Sequence, residues 1–454
     1  MSEKLPQVHL GVFFQGVGHT IGWRHPDHVA HNAFSTYVEF AQLAERGKFD
    51  LIFFGEGLVV REHQNKFFGS IVNGRPDSLA LIPALAAVTS HIGMVATVSS
   101  TYNQPYELAR QFASIDHVTD GRVGWNVVTT FSNSAAKDSG GDQVAYNFSK
   151  SHHLDHATRY DRAREFVALI KRLWDSWQDD AFDNGTLDHT RIHPVEHQDT
   201  WFSVNGALDV PRSPQGHPVI VQAGQSPDGR DLAARITDVI FSPSRDIDES
   251  KAYYDDVKSR MLGHGRDPQY LRMLPGLSVV IGATEEEAKA KAAHYRELLY
   301  TTQIVRYLLS EQSGADFTDV DLDGPFPVID TTASDINGAL VTRWSEQASA
   351  NNLTVRQLAL HVFANWTVVG TPIQVADYIE KWVRAEACDG FLLTPTVLPN
   401  DLRDFVDLVV PELQRRGLYR TDYSGRTLRD HLDIPRPASV YETTSATLQI
   451  GSAS

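Results

Sequence analysis

The sequence predicts an α/β fold, a (β/α)8 TIM barrel, and three observations carry that expectation. Short runs rich in Val, Ile, Phe and Leu recur eight times along 454 residues. Segments with helical periodicity separate most of them, the alternation that builds a parallel sheet. The runs are apolar along most of their length, which suits strands buried on both faces. A barrel of this type needs about 250 residues, so the remainder of a single barrel domain over residues 1–454 falls in insertions.

The eight runs are Val8 to Phe14, Phe49 to Phe54, Gly93 to Ser99, Arg122 to Val128, Pro218 to Ala223, Asp238 to Ser242, Met273 to Ile281 and Gly390 to Thr394. After Pro105, which suits a first helical turn, Leu108, Ala109, Phe112, Ala113 and Ile115 follow a 3.6 period. Ala163, Phe166, Val167, Ile170, Leu173 and Trp174 repeat it from Tyr160 onward. Three stretches exceed ordinary loop length, at about residues 131–155, 177–217 and 300–371. The second holds a short hairpin around Thr200 to Val204. The region after the seventh run holds a charged helix from Glu285, a weakly patterned segment from Gly314 to Gly338, and a helix opening after Thr371 and Pro372. The first and third insertions follow strands four and seven, so they are expected to fold over the barrel mouth as lids.

Composition narrows the function. The chain carries 41 basic against 57 acidic residues, a net charge of −16, which repels nucleic acid and anionic membranes. The one cysteine, Cys388, excludes an intrachain disulfide and a thiolate metal cluster. The opening residues lack a cleavable leader pattern and no segment has about 18 uninterrupted apolar residues, so a cytoplasmic protein is expected. His152, His153, Asp155 and His156 crowd together without an evident fourth ligand, and no metal site is expected. Gly16 to Gly22 lacks the glycine spacing of a dinucleotide loop, and no Walker loop, nucleophile elbow or kinase signature is present.

Barrel chemistry belongs at the carboxyl ends of the strands. Polar residues appear there abruptly: Gln15 to His25 after the first strand, Glu56 after the second, Ser99 to Tyr102 at the third, Asn126 and Thr129 at the fourth, Gln222 and Ser226 at the fifth. After the fifth, Ser226 suits an N-cap and Pro227 a first helical residue, so the helix from Asp228 would aim backbone N–H groups at the mouth. A phosphate there gains roughly 0.3 to 2 kcal/mol from the helix dipole, plus direct hydrogen bonds. The same residues would also cap a helix that holds no ligand. Barrel rims are polar in many proteins whatever their function.

Ordered blocks run through nearly the whole chain: Trp23-Arg24-His25-Pro26, Glu45 to Asp50, Ser100-Thr101-Tyr102, Asp120 to Val123, Trp125 to Thr129, His156 with Arg159-Tyr160-Asp161, Pro211 to Gln215, Gln222-Ala223-Gly224 with Ser226, and Val410 to Leu413. In this order they resemble the bacterial-luciferase-like flavin monooxygenases, in the branch of the nitrilotriacetate, EDTA, dibenzothiophene-sulfone and long-chain alkane monooxygenases. The resemblance implies a barrel that binds reduced FMN (FMNH2) delivered by a separate NAD(P)H:FMN reductase and uses O2 to oxygenate a small organic substrate. That step would cleave a C–N or C–S bond or hydroxylate. A homodimer or homotetramer is expected.

By motif match, Ser226, Pro227 and the following backbone, with Tyr160, would hold the phosphate, and His156 would lie beside the flavin tail. Ser100 and Asn126 would face the ring or ribityl chain, and Phe13 would pack under the ring. Glu56 stands where relatives usually carry aspartate, which keeps the acceptor and lengthens its arm. Phe13, Phe14, Phe54, Trp125 and Phe241 are the expected walls of a site that must exclude water. His19 and Tyr102 at strand-end loops, and His361 from the third insertion, are the candidate acid–base residues. Three alternatives stay open: a deazaflavin-dependent oxidoreductase of the same superfamily, a non-redox hydrolase using Glu56 and Asp228, and a flavin-binding protein without catalysis.

Overall fold

The computed structural model describes residues 7–14, 22–55, 57–60, 62–63, 66–67, 74–130, 143–183, 185–242, 246–331 and 337–441. Each apolar run contributes a strand: β1 (His9–Phe14), β2 (Leu51–Phe54), β3 (Gly93–Ser99), β4 (Val123–Val128), β5 (Val219–Gln222), β6 (Val239–Ser242), β7 (Arg272–Leu277) and β8 (Gly390–Leu393). Every strand pairs in parallel with the next, and β8 returns to β1 with Gly390 opposite His9. The ring is closed, which removes the open edges of a sheet. Its period of two sends alternate side chains to opposite sides. Phe13, Leu51, Phe53, Val95, Val221, Val239, Leu274 and Leu392 pack on one another inside. Phe14, Phe54, Met94 and Trp125 belong to the layer under the helices.

That outer layer is made by α1 (Phe34–Arg46), α2 (Ser78–Ala86), α3 (Pro105–Val118), α4 (His156–Trp174), α5 (Pro227–Ile236), α6 (Ile247–Gly263) and, later in the chain, α11 (Pro372–Arg384). The buried faces of α3 and α4 are those their periodicity predicts. The charged helix after Glu285 is α7 (Glu285–Leu299), capped by the Thr284 hydroxyl. The seventh run, expected as one strand from Met273 to Ile281, breaks at Ser278. There the Ser278 hydroxyl meets Thr394 Oγ1 at 2.6 Å, and its carbonyl accepts from Thr367 N at 2.8 Å. Those bonds turn the chain out of the ring, and Val279–Ile281 pairs instead with Val368–Gly370.

The insertions differ in character. Of the first, residues 131–142 lie outside the described residues, and Val144 and Ala145 pack against Tyr102. The second contains the expected hairpin, Val195–Gln198 against Ser203–Gly206, held to α4 by the Glu165 carboxylate, which accepts from Trp201 N and Phe202 N at 3.0 Å each. The third supplies α8 (Thr302–Ser313), α9 (Gly338–Ala350) and α10 (Val355–Phe363), which enclose an apolar cluster of their own around Leu309, Phe317, Trp344 and Leu358.

The amino-terminal rim of the barrel is plugged by the short helix Leu428–His431, an element the sequence reading did not anticipate. Leu428, Leu432 and Ile434 join the inner core. A Cβ on Gly93 would lie 2.5 Å from Leu428 Cδ1 and 2.8 Å from the Asp50 carbonyl oxygen, so a larger residue there would force Leu428 or the strand to shift. Burial of one leucine is worth about 1.5 to 3 kcal/mol. Beside it Asp50 accepts from Leu10 N at 2.7 Å and pairs with Arg420 at 2.5 Å. Burial pushes the Asp50 carboxyl up, but Arg420 and His9 outweigh it and hold the group below the usual carboxylate range.

His431 is almost wholly buried in this plug, its ring 4.7 Å from that of Tyr423. Burial, aided by the nearby Arg420 and His91, pushes its pKa down to about 4 against the opposing pull of Asp50 and Asp430. Below about pH 6.5 the unfolded chain binds a proton that the folded one refuses until about pH 4. Stability from this group is therefore complete above pH 6.5 and is lost as pH falls toward 4. Urea midpoints at pH 7 and 5 are expected to fall less for His431→Leu than for the native chain; equal losses would reject the assignment.

Candidate active site

At the carboxyl-terminal rim the inner core ends in an aromatic floor. Phe13 and Phe53 stack with centroids 5.0 Å apart, and Phe241 stands 6.2 Å from each. Of the expected walls, Phe13 and Phe241 face inward, but Phe14, Phe54 and Trp125 do not. Strand alternation turns them outward, Trp125 being buried among Phe112, Phe166 and Trp174. Phe53 is the inward residue that the sequence reading missed, because an adjacent Phe-Phe pair gives no sign of which member faces the axis.

Above the floor lies a polar layer. Asn126 Nδ2 donates to Thr97 Oγ1 at 3.0 Å, while Asn126 Oδ1 is buried with no hydrogen-bond partner among the described residues. A buried carbonyl without a donor is costly, by about 1 to 3 kcal/mol, and marks a place where a ligand donor would fit. Ser100 is buried, and its hydroxyl donates to Val128 O at 3.2 Å. Two arginines of α4 stitch the loops after β3 and β4: Arg159 Nη1 donates to Thr130 O at 2.8 Å, and Arg162 donates to the carbonyls of Ser100 and Asn103. Arg162 is a further residue that sequence reasoning passed over. Its signal was present, since Arg159 and Arg162 fall on the helix face that carries Ala163 and Phe166, where arginine has to find carbonyls.

The tip of α5 completes the rim. Ser226 is its N-cap, with Oγ accepting from Gly229 N at 3.1 Å, and Pro227 is its first residue, as the sequence predicts. A Cβ on Gly224 would come within 2.9 Å of Gly229 Cα and 2.3 Å of Gln222 Nε2. The loop after β5 thus lies directly on the first turn and leaves backbone exposed in place of side chain. Tyr253, unanticipated, anchors it by donating to Gly224 O at 2.8 Å. The N-terminus of α4 meets this tip: the His156 ring lies tilted against that of Tyr160, centroids 4.7 Å apart, and its Nδ1 lies 3.4 Å from Asp228 Oδ2. Two helix N-termini converge there, each with roughly half a positive charge, the arrangement that binds an anion.

The histidine-rich stretch is dispersed. His153 Nδ1 lies 2.5 Å from Tyr102 Oη, Asp155 caps α4, and His156 belongs to the helix tip. Tyr102 is buried and stacks at 5.0 Å on Phe148. His361 is exposed in the last turn of α10 and makes no hydrogen bond among the described residues, so it neither packs in a core nor joins the rim network. His19 and Glu56 lie outside the described residues. The structure therefore brings Phe13, Ser100, Asn126, Tyr160, His156, Ser226 and Pro227 to one rim, with Tyr102 at its edge.

This rim belongs to a known class. The family described as luciferase-like monooxygenase matches residues 16–389. The chain is 40% identical to the N-acetyl-S-(2-succino)cysteine monooxygenase of Bacillus subtilis (strain 168), across 97% of this chain and 100% of the relative. It is 42% identical to nitrilotriacetate monooxygenase component A of Aminobacter aminovorans, across 95% and 97%. The crystal structure of DmoA from Hyphomicrobium sulfonivorans superposes with a TM-score of 0.81 at 31% identity, covering 94% of this chain and 92% of that one. The chain belongs to the luciferase-like monooxygenase family and is an oxidoreductase that acts with molecular oxygen.

Crowding at the α5 tip makes a specific demand. Gly224→Ala must displace the loop or the helix, since one near contact is backbone, and is expected to destabilise the protein by about 1 to 3 kcal/mol. Urea unfolding measures it; an unchanged midpoint would show that the loop stands off the helix.

Proposed function

We propose that the protein is the oxygenating component of a two-component system, taking reduced FMN from a separate NAD(P)H:FMN reductase. The observation that carries this reading is the buried Asn126 Oδ1, without a hydrogen-bond partner among the described residues, above an aromatic floor and on the same rim as a helix tip suited to a phosphate. The residues fit the cofactor. The Ser226–Pro227 turn, with Tyr160 and His156, would hold the phosphate; Asn126 and Ser100 would meet the ring or ribityl chain, and Phe13 would lie beneath the ring. Glu56 keeps the flavin contact that the resemblance implies for it, and His19 stays a candidate acid–base residue on the first strand-end loop.

Reduced flavin, when bound, supplies the two electrons with which one atom of O2 enters the substrate and the other leaves as water. The chain's part is to bind, orient and exclude water. Phe13, Phe53 and Phe241 keep the floor dry, and Arg159 and Arg162 fix the loops that carry Ser100 and Thr129. Tyr102 Oη, paired with His153 and buried, is a better-placed proton holder than the exposed His361. Substrates named for the relatives point to a small organic molecule cleaved at a C–S or C–N bond. Among the described residues no helix is long and apolar enough to cross a membrane, in keeping with a cytoplasmic protein. A homodimer or homotetramer is the assembly we expect.

Anaerobic titration with reduced FMN is expected to give saturable binding, weakened at least tenfold by Ser226→Asp through like-charge repulsion with the phosphate. Unchanged affinity would remove the helix-tip site. Turnover with NADH and free FMN is expected only when a reductase is added, with one atom from labelled O2 in the product by mass spectrometry. Label-free product, or efficient turnover without a reductase, would overturn the reading.

A further inference from the structure

The loop after β5 divides its hydrogen bonds unevenly. Gly224 N donates to Gln222 Oε1 at 2.8 Å, and two side chains from the neighbouring helices take the carbonyls that follow. Tyr253 Oη, on α6, donates to Gly224 O at 2.8 Å, and Arg230 Nε, near the start of α5, donates to Gln225 O at 3.0 Å. The amides of Gln225 and Ser226 have no acceptor among the described residues.

A trans peptide carries its C=O and the N–H of the following residue on opposite sides. The Gly224 carbonyl shares a peptide with the Gln225 amide, and the Gln225 carbonyl shares the next with the Ser226 amide. Holding both carbonyls against Tyr253 and Arg230 therefore turns both amides away from those side chains, at a place where Gln225 is exposed and Ser226 half-buried. Two successive N–H groups aimed alike make a concave donor pair for an anion's oxygen. The Asp228 carboxylate, which would oppose an anion at the same turn, lies 3.4 Å from His156 Nδ1.

Both anchors are themselves held. The Arg230 guanidinium lies 4.7 Å from the Tyr253 ring centroid, and its Nη1 meets Asp256 Oδ2 at 2.9 Å. Asp256 Oδ1 in turn accepts from Arg260 Nε at 2.8 Å. Tyr253 is buried, and burial pushes its hydroxyl up to about 12, so it remains a donor through the neutral range. A phenylalanine would fill the same space, which leaves the bond to Gly224 O as the hydroxyl's own contribution.

We infer that Tyr253 and Arg230 are positioning residues of the phosphate site, which by taking the carbonyls of Gly224 and Gln225 fix the amides of Gln225 and Ser226 as donors to the cofactor's phosphate. The inference rests on the reduced-FMN reading above and names the side chains, outside the rim motifs, that set its phosphate donors.

The test uses the whole, flavin-free protein and two probes, reduced FMN and reduced riboflavin, which differ in the phosphate alone. Anaerobic titration of the native chain is expected to show FMN bound at least about tenfold tighter, the worth of charge-assisted bonds to the phosphate. Tyr253→Phe should weaken FMN by about five- to tenfold and leave riboflavin within about twofold, whereas a variant that merely loosened the fold would weaken both alike. Arg230→Lys keeps the charge but lacks the fork that spans Gln225 O and Asp256, so it should lose most of what Arg230→Met loses. It carries the test if Tyr253→Phe does not fold. A lysine that preserves the FMN preference which methionine removes would show Arg230 acting through charge and overturn its positioning role. An FMN-to-riboflavin ratio unchanged in Tyr253→Phe or in Arg230→Lys would overturn the inference and leave the cofactor reading intact. Equal native affinity for the two probes would remove the phosphate site and this inference with it, and uptake of neither would refute the cofactor reading itself.

Discussion

Closing eight parallel strands into a ring imposes the constraint from which the site follows. Parallel strands all run the same way, so every carboxyl end arrives at one rim, and residues far apart in the chain, such as Phe13, Asn126 and Ser226, have to meet there. Closure also leaves each inward side chain no choice of neighbours. The interior fills with Leu51, Val95, Val221, Val239 and Leu392, and what stands above them becomes a floor. The period of two then divides two Phe-Phe pairs, β1 and β2 each giving one ring to the axis and one to the outer wall. One geometric rule thus produces both a dry surface for a planar cofactor and the aromatic packing of Phe14 on Tyr37 of α1.

The two rims of the ring are specialised in opposite ways. At the amino-terminal rim the chain returns to insert Leu428 and to bury Asp50 with Arg420 and His9, an ion cluster whose desolvation is offset by backbone donors and close pairing. That end is sealed by packing. At the carboxyl-terminal rim the polar layer is incompletely paired among the described residues, since Asn126 keeps an acceptor without a partner there and the α5 tip presents backbone at Gly224. Unspent hydrogen-bonding capacity in a rigid frame is what a binding site requires. The frame is rigid because Arg159, Arg162 and Tyr253 tie the rim loops to helices that the outer core holds in place.

Much of this architecture is legible in the sequence alone. The eight strands follow from apolar runs whose composition suits burial on both faces, and the Ser226–Pro227 helix start follows from local capping chemistry that needs no tertiary partner. Where the linear reading failed, a choice between equivalent neighbours was at stake. Phe53 and Phe54 are chemically identical, and only the pairing of β2 with β1 and β3 decides which one faces the axis. The break at Ser278 was hidden because the run from Met273 to Ile281 is apolar on both sides of that single serine; two long-range hydrogen bonds, to Thr367 and Thr394, divide it.

What the sequence by itself determined, then, is everything set by local periodicity and by residue type: the barrel class, the places of its strands and helices, the polar rim and the membership in a monooxygenase family. What only the tertiary structure decided is everything set by contacts between distant segments. Those are the plug at the closed end, the arginines that hold the loops, the inward member of each aromatic pair and the hold of Tyr253 and Arg230 on the loop after β5. The physical reason is that hydrophobic period and capping act over a few residues, whereas a cavity exists only after remote surfaces have closed around it.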